Sequence, residues 1–92
     1  MSGAPYAADP PEAGTRVELE GLTLLYHRRS GLTHILAPPA PQILDALAGG
    51  PGTADEVAGR IAQSFEVEAE NAGAIIAARL AELEAAGLVW RP

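Results

Sequence analysis

Three prolines divide the sequence into two parts with different hydrophobic periodicity. Before Pro38, Pro39 and Pro41, apolar residues alternate with polar ones, and after them apolar residues recur at helical spacing. Proline ends a sheet segment because it has no backbone N–H, but the first turn of a helix tolerates it. The chain is therefore predicted to be an α+β fold, in which a sheet comes first and helices follow.

Three strands are predicted between residues 16 and 37. In the first, Val17 and Leu19 alternate with glutamates, which is typical of a half-buried strand ending at Gly21. The second covers residues 22–28 and the third residues 32–36. Together they predict a three-stranded antiparallel sheet.

The turn Arg29-Ser30-Gly31 joins the second and third strands into a hairpin. Its length leaves two registers open. A two-residue turn pairs His27 with His34, whereas a three-residue loop pairs Tyr26 with His34. Because one residue of slip moves a strand's side chains to the opposite face, the two registers differ in what they bury.

Three helices are predicted after the prolines. The first begins near Pro39 or Ala40, and the second begins at a capping box formed by Thr53 and Glu56. The third is the longest and ends at Gly87, followed by an extended apolar tail. The apolar residues that define the three helical faces are Ile43, Leu44 and Leu47, then Val57, Ile61 and Phe65, and then Ala72, Ile75, Ile76, Leu80 and Leu83. This order of elements is that of a winged helix-turn-helix.

Residues 1–15 have no periodic apolar pattern and are rich in proline, glycine and alanine. Such a segment buries too little surface to offset its ordering entropy, so a disordered tail is predicted. Residues 16–92 are predicted to form a single domain.

The charge balance excludes several classes of function. Six arginines oppose 12 acidic residues, and the net charge of −6 disfavours binding to nucleic acid or to an anionic membrane surface. No apolar run is long enough for a membrane helix, and the N-terminus does not resemble a signal peptide. With no cysteine in the chain, disulfides, a thiol nucleophile and a cysteine zinc site are excluded. A cytoplasmic protein is the default expectation for a chain with neither a membrane helix nor a signal peptide.

No catalytic or metal-binding motif stands out. His27 and His34 lie on neighbouring predicted strands, but no third ligand stands at a suitable spacing. Ser30 is explained as a turn residue, and residues 49–52 lack the lysine and hydroxyl of a phosphate-binding loop. We therefore expect no metal, no cofactor and no enzymatic activity.

Three binding functions fit the predicted architecture. A DNA-binding winged helix would need cations on its third helix, where Arg79 is the only one, or would depend on Arg28 and Arg29. A peptide-binding protein would add an extended ligand to the free edge of the third strand. A dimerisation module would exchange its hairpin with a second copy, which makes a homodimer an alternative.

The residues also resemble a known family. The hairpin of residues 24–38, with its Ser-Gly-Leu-Thr-His-Ile-Leu stretch (30–36), the following Gln-Ile-Leu (42–44) and the closing residues 80–89 resemble PqqD-like peptide chaperones. These are recognition elements of pathways that modify ribosomally made peptides. The stretch at residues 30–36 is most similar to the subgroup found beside kinases related to HPr kinase.

The resemblance implies a non-catalytic adaptor. In such proteins the leader segment of a precursor peptide adds antiparallel to the third strand, in a cleft against the third helix. The adaptor then presents the precursor to a modifying enzyme, which is a radical S-adenosylmethionine protein or a kinase-like protein. The contacts carried over by position are Thr33, His34, Ile35 and Leu36 on the strand and Ala72, Ile75, Ile76, Arg79 and Leu83 on the helix.

Overall fold

A computed structural model describes residues 4–62 and 72–92 of the chain. Its strands are β1 (Ala7–Ala8), β2 (Gly14–Leu19), β3 (Leu22–His27), β4 (Leu32–Leu36) and β5 (Val89–Trp90), and its helices are α1 (Ala40–Ala48), α2 (Ala54–Ile61) and α3 (Ala72–Ala85). A short 3-10 helix, Pro11–Ala13, precedes β2. The predicted α+β fold, a three-stranded antiparallel sheet followed by three helices, is confirmed, with the predicted third strand corresponding to β4.

The main sheet has the order β2-β3-β4, and both pairs are antiparallel. The hairpin loop contains four residues, 28–31, because His27 pairs with Leu32 and Leu25 pairs with His34. Both loop lengths considered from the sequence are therefore wrong. Gly31 closes the loop at φ +72°, and its N–H donates to the carbonyl of His27 at 2.8 Å.

The core lies between one face of the main sheet and the three helices. The sheet contributes Leu25 and Leu36, and the helices and the C-terminal segment contribute the rest: Ile43, Leu44, Leu47, Val57, Ala58, Ile61, Ile76, Leu80, Leu83, Leu88 and Val89. The predicted apolar faces of α1 and of the described part of α2 are thus confirmed. Phe65 and the glutamates at positions 66, 68 and 70 lie outside the described residues.

Local signals set the ends of the helices. At α2 the Glu56 N–H donates to Thr53 Oγ1 at 3.2 Å, and the Thr53 N–H donates to Glu56 Oε1 at 2.8 Å, which confirms the capping box. At the end of α3, Gly87 has φ +80° and the Leu88 N–H donates to the carbonyl of Leu83 at 2.9 Å. This Schellman arrangement requires a left-handed residue, for which glycine has no steric penalty.

The prediction of a disordered tail is wrong for residues 6–15. Strand β1 pairs with β5, and the Tyr6 N–H and carbonyl exchange hydrogen bonds with Gly52 at 2.8 and 3.0 Å. Strand β2 also begins at Gly14, two residues earlier than predicted. A two-residue strand has no periodicity, and its partners lie far away in sequence, so local pattern gives no sign of it.

His27 connects this N-terminal segment to the hairpin through side-chain hydrogen bonds. Its ring is buried, with Nε2 at 2.8 Å from Asp9 Oδ2 and Nδ1 at 3.0 Å from Ser30 Oγ. Arg29 Nη2 donates to the other Asp9 oxygen at 2.6 Å. Because the Asp9 side chain is also largely buried, the cluster joins two distant segments in a region of reduced solvent screening.

Replacing Asp9 should therefore destabilise the fold. In Asp9→Ala, His27 Nε2 is left buried without its partner, so we expect the free energy of unfolding to fall by about 1–3 kcal/mol. Urea denaturation measures the loss. The control is Glu12→Ala, because Glu12 is exposed and contacts Arg28 only through its backbone carbonyl. Equal stability of the two variants would contradict the structural role of the Asp9–His27 contact.

The capping box predicts a specific pH dependence. The Thr53 N–H donates to the carboxylate of Glu56 and lowers the pKa of that group below its ordinary value of 4.5. A carboxyl whose pKa is lower in the folded state stabilises the fold above its ordinary pKa, and this stabilisation is lost as the pH falls through the folded-state pKa. We expect the stability difference between the native chain and Glu56→Gln to shrink below pH 4.5, as measured by urea midpoints. A difference that stays constant across that range would contradict this assignment.

Candidate functional site

A groove lies between the edge strand β4 and the C-terminal half of α3. Its volume is about 610 Å³. The residues lining it come from β4, from the turn that follows β4, and from one side of α3: Thr33, His34, Ile35, Leu36, Ala37, Pro38, Ala40, Arg79, Glu82, Leu83 and Ala86.

Strand β4 supplies one wall and a free backbone edge. Within residues 4–62 and 72–92, β4 pairs with β3 alone, so its second edge carries N–H and C=O groups with no strand beside them. Along the strand, Leu36 is buried in the core, His34 is half-buried on the same face, and Ile35 is exposed on the opposite face. The wall is thus anchored at its C-terminal end and open along its edge.

Helix α3 supplies the opposite wall. Arg79, Glu82, Leu83 and Ala86 follow the three- and four-residue spacing that places side chains on one face of a helix. Leu83 is buried and forms an apolar floor. Arg79 Nη1 lies 3.2 Å from Glu82 Oε1, but both side chains are largely exposed, so this ion pair contributes little to stability.

Two residues that line the groove each carry a buried polar atom with no hydrogen-bond partner among the described residues. These atoms are His34 Nε2 and Arg79 Nε. A buried polar atom without a partner costs about 1–3 kcal/mol. A ligand acceptor would remove part of that cost if the Arg79 side chain turned to expose its Nε–H.

The structure brings together six of the nine site residues inferred from the sequence. The groove is lined by Thr33, His34, Ile35, Leu36, Arg79 and Leu83. The other three lie towards the beginning of α3 and do not line it. Ile76 is fully buried in the core, Ala72 packs against the core, and Ile75 is partly exposed.

Five lining residues were not inferred from the sequence: Ala37, Pro38, Ala40, Glu82 and Ala86. Glu82 and Ala86 follow Arg79 by three and seven positions, so helical spacing from Arg79 identifies them. The positions of Ala37, Pro38 and Ala40 depend on how the chain turns after β4, and no periodic pattern in the sequence predicts that turn.

The two histidines lie outside any cation-binding cluster in the part of the chain that the structure describes. Their ring centroids are 6.3 Å apart, and no group of three or more His, Asp or Glu residues is close enough to hold a metal ion. Ser30 Oγ contacts His27 and also accepts from the Leu32 N–H at 3.3 Å, as expected of a turn residue. The small cavity beside Asp9 and His27 has a volume of about 30 Å³, which suits a water molecule.

None of the described helices is long and apolar enough to cross a membrane.

Comparison with known proteins identifies similar sequences and folds. The family described as "Coenzyme PQQ synthesis protein D (PqqD)" matches residues 23–89. A solved structure of a lasso peptide synthetase B1, complexed with the leader peptide, is 25% identical, with a TM-score of 0.63 over 92% of this chain and 96% of that one. TbiB1, in complex with the TbiA(beta) leader peptide, has the same fold at 17% identity, with a TM-score of 0.63 over 90% of this chain and 93% of that one. No curated protein matches the chain.

Neighbouring isoleucines on α3 should respond differently to truncation. Ile76→Ala leaves a cavity in the core, so we expect a loss of about 2–5 kcal/mol in the free energy of unfolding. Ile75→Ala removes a side chain that is 37% exposed, and its cost should be clearly smaller. Chemical denaturation of the two variants provides the comparison. Similar losses would mean that Ile76 is not the core residue that the structure shows.

Proposed function

The chain belongs to the PqqD family, and we propose on that basis that it is a non-catalytic peptide chaperone for the leader segment of a precursor peptide. The family match extends over most of the chain. The lasso peptide synthetase B1 that shares its fold has a leader peptide bound. The observation that carries the proposal is a groove that combines a free strand edge with an apolar floor.

We propose that the leader adds as a fourth strand on the free edge of β4. Main-chain hydrogen bonds to the edge would supply affinity that does not depend on sequence. Alternate side chains of an added strand point to opposite faces, so every second one would enter the groove against α3. Leu36 and Leu83 favour an apolar side chain there, and Ala40 and Ala86 leave room for it.

Arg79 supplies the polar part of this recognition. Its guanidinium is held by Glu82 through an exposed ion pair, which an incoming acidic side chain can replace at little cost. Its buried Nε–H still lacks an acceptor among the described residues. An acidic leader side chain or a leader carbonyl would satisfy it once the Arg79 side chain turned to expose the group.

The adaptor would then present the bound precursor to a modifying enzyme in the cytoplasm. A radical S-adenosylmethionine protein or a kinase-like protein is the expected type of enzyme. No step of the proposed role needs a cofactor or a nucleophile in this chain.

The structure does not favour DNA binding by the hairpin. Arg28 Nη2 donates to the carbonyl of Glu12, and Arg29 Nη2 donates to Asp9. Phosphate contacts by these two arginines would compete with internal hydrogen bonds, one of which belongs to the His27 cluster. The net charge of −6 also disfavours binding to the phosphates of DNA.

Blocking the groove should weaken leader binding. Ala86 lines the groove, whereas its neighbour Ala85 is exposed and does not. We therefore expect Ala86→Trp to weaken the binding of the leader of the neighbouring precursor gene by about tenfold or more, and Ala85→Trp to change it by less than about twofold. Fluorescence anisotropy with a labelled leader measures both. Equal affinities in the two variants would place the peptide elsewhere.

Strand addition also predicts which backbone amides of the peptide are needed for binding. An antiparallel edge pairs with every second amide of an added strand. A scan of leader peptides methylated at successive backbone nitrogens should therefore show affinity losses with a period of two. Amide-shift changes in the protein should be concentrated at residues 33–37 and 79–86. Losses without alternation would exclude strand addition, even if the peptide binds.

A further inference from the structure

The outer face of the main sheet carries an apolar surface that the core does not use. In the register of the sheet, Val17, Leu24 and Ile35 lie directly opposite one another across all three strands. Residues two positions apart on a strand share a face, so Leu19, Leu22 and Tyr26 belong to the same side. We call these six residues the outer apolar face.

Five of these six side chains are well exposed, and Leu24 in the central strand is half-buried. The exposed fraction is 56% for Val17, 57% for Leu19 and 69% for Ile35. Leu22 and Tyr26 are exposed at 40% and 43%. An antiparallel sheet with one solvated face normally carries polar residues there, so a continuous apolar face indicates an interaction surface.

The orientation of β2 shows that this exposure is built into the fold. The sequence predicts that Val17 and Leu19 are the half-buried side of the strand, but the charged residues occupy the side that faces the helices. Arg16 Nη1 donates to Asp45 Oδ1 of α1 at 2.7 Å, and Glu18 Oε2 accepts from Thr23 Oγ1 at 2.6 Å. These polar contacts hold β2 with its apolar side towards solvent.

The charge of the chain favours a different protein over a second copy. Two chains that each carry a charge of −6 repel each other. A partner of opposite charge has no such penalty, and a moderate apolar contact suits an association that must also dissociate.

The distribution of charge indicates what that partner carries. Four of the six arginines pair with a carboxylate of the same chain: Arg16, Arg29, Arg79 and Arg91. Glu20 is exposed in the turn between β2 and β3, at the border of the outer apolar face. The net charge of −6 complements a partner with basic residues around an apolar centre.

We propose that the outer apolar face docks the modifying enzyme, through an apolar surface on the enzyme that is bordered by basic side chains. This inference rests on the proposed function, since it names the surface used for presentation. Ile35 belongs to both the groove wall and the outer apolar face. An enzyme on this face therefore sits directly beside a peptide bound at β4.

The test separates enzyme docking from leader binding. The probe is the purified enzyme encoded beside the precursor gene, titrated against the full chain by biolayer interferometry. The variant Val17→Glu/Leu19→Glu should weaken enzyme binding by about tenfold or more and leave leader affinity within about twofold. The control Ala78→Glu/Ala81→Glu adds the same charge on exposed positions of α3 outside the groove and should leave both affinities near those of the native chain.

A third variant separates loss of apolar contact from added charge. Val17→Thr/Leu19→Thr keeps good strand formers and adds no charge, so it should weaken enzyme binding in the same direction. Added salt should also weaken the native complex, because its rim contacts are electrostatic. Circular dichroism of each variant verifies that the fold is retained.

The binding and light-scattering measurements have three outcomes that would each overturn a proposal. Enzyme binding that is unchanged in both Val17/Leu19 variants overturns the docking surface but leaves the peptide-binding proposal in place. Failure of the native chain to bind any leader overturns the proposed function, and the inference with it. A native chain that dimerises in light scattering, and that becomes monomeric in Val17→Glu/Leu19→Glu, assigns the face to a second copy and also overturns the inference.

Discussion

The attachment of the sheet to the helices determines what the rest of the molecule can do. Among the described residues, Leu25 and Leu36 are the large apolar side chains of the main sheet that enter the core. Leu36 lies at the C-terminal end of β4, whereas Leu32 at the other end is 59% exposed. Strand β4, which is paired with β3 along its length, therefore enters the core only through its C-terminal end, and the groove lies between the strand and α3.

With so small an apolar attachment, polar contacts complete the docking of the sheet. Asp9 and His27 join the N-terminal segment to β3, and Arg16 joins β2 to Asp45 of α1. Contacts of this kind fix orientation more than they add stability, because hydrogen bonds replace bonds to water. Their consequence here is that both the free edge of β4 and the apolar side of the sheet face outwards.

The sequence was informative wherever the physical cause is local. The capping box at Thr53 and Glu56, the glycine end of α3 and the buried face of α1 are all determined within a few residues, and they agree with the structure. The hairpin loop, strand β1 and the facing of β2 are determined by partners distant in sequence. For β2, the alternation of apolar and charged residues does not show which side of the strand meets the helices. The Arg16–Asp45 contact places the charged side there.

The same distinction applies to the candidate site. The free edge and the apolar residues of β4 follow from strand order, which the sequence indicated. The way in which α3 lies against the sheet determines which of its turns borders the groove. The sequence does not report that orientation, and the prediction therefore assigned Ile76 to the groove although it belongs to the core. Arg79 and Leu83, one and two turns further along, do border it.

The pairing of β1 with β5 has a consequence for how such a domain can be combined with others. Ala7 lies opposite Trp90, so the Cα atoms of these two residues, one near each end of the domain, are about 5 Å apart. A domain whose ends lie close together can be inserted into a surface loop of a larger protein without separating the two ends of that loop. The free edge of β4 belongs to the other sheet, so an attachment at the β1–β5 pair does not use the strand that borders the groove.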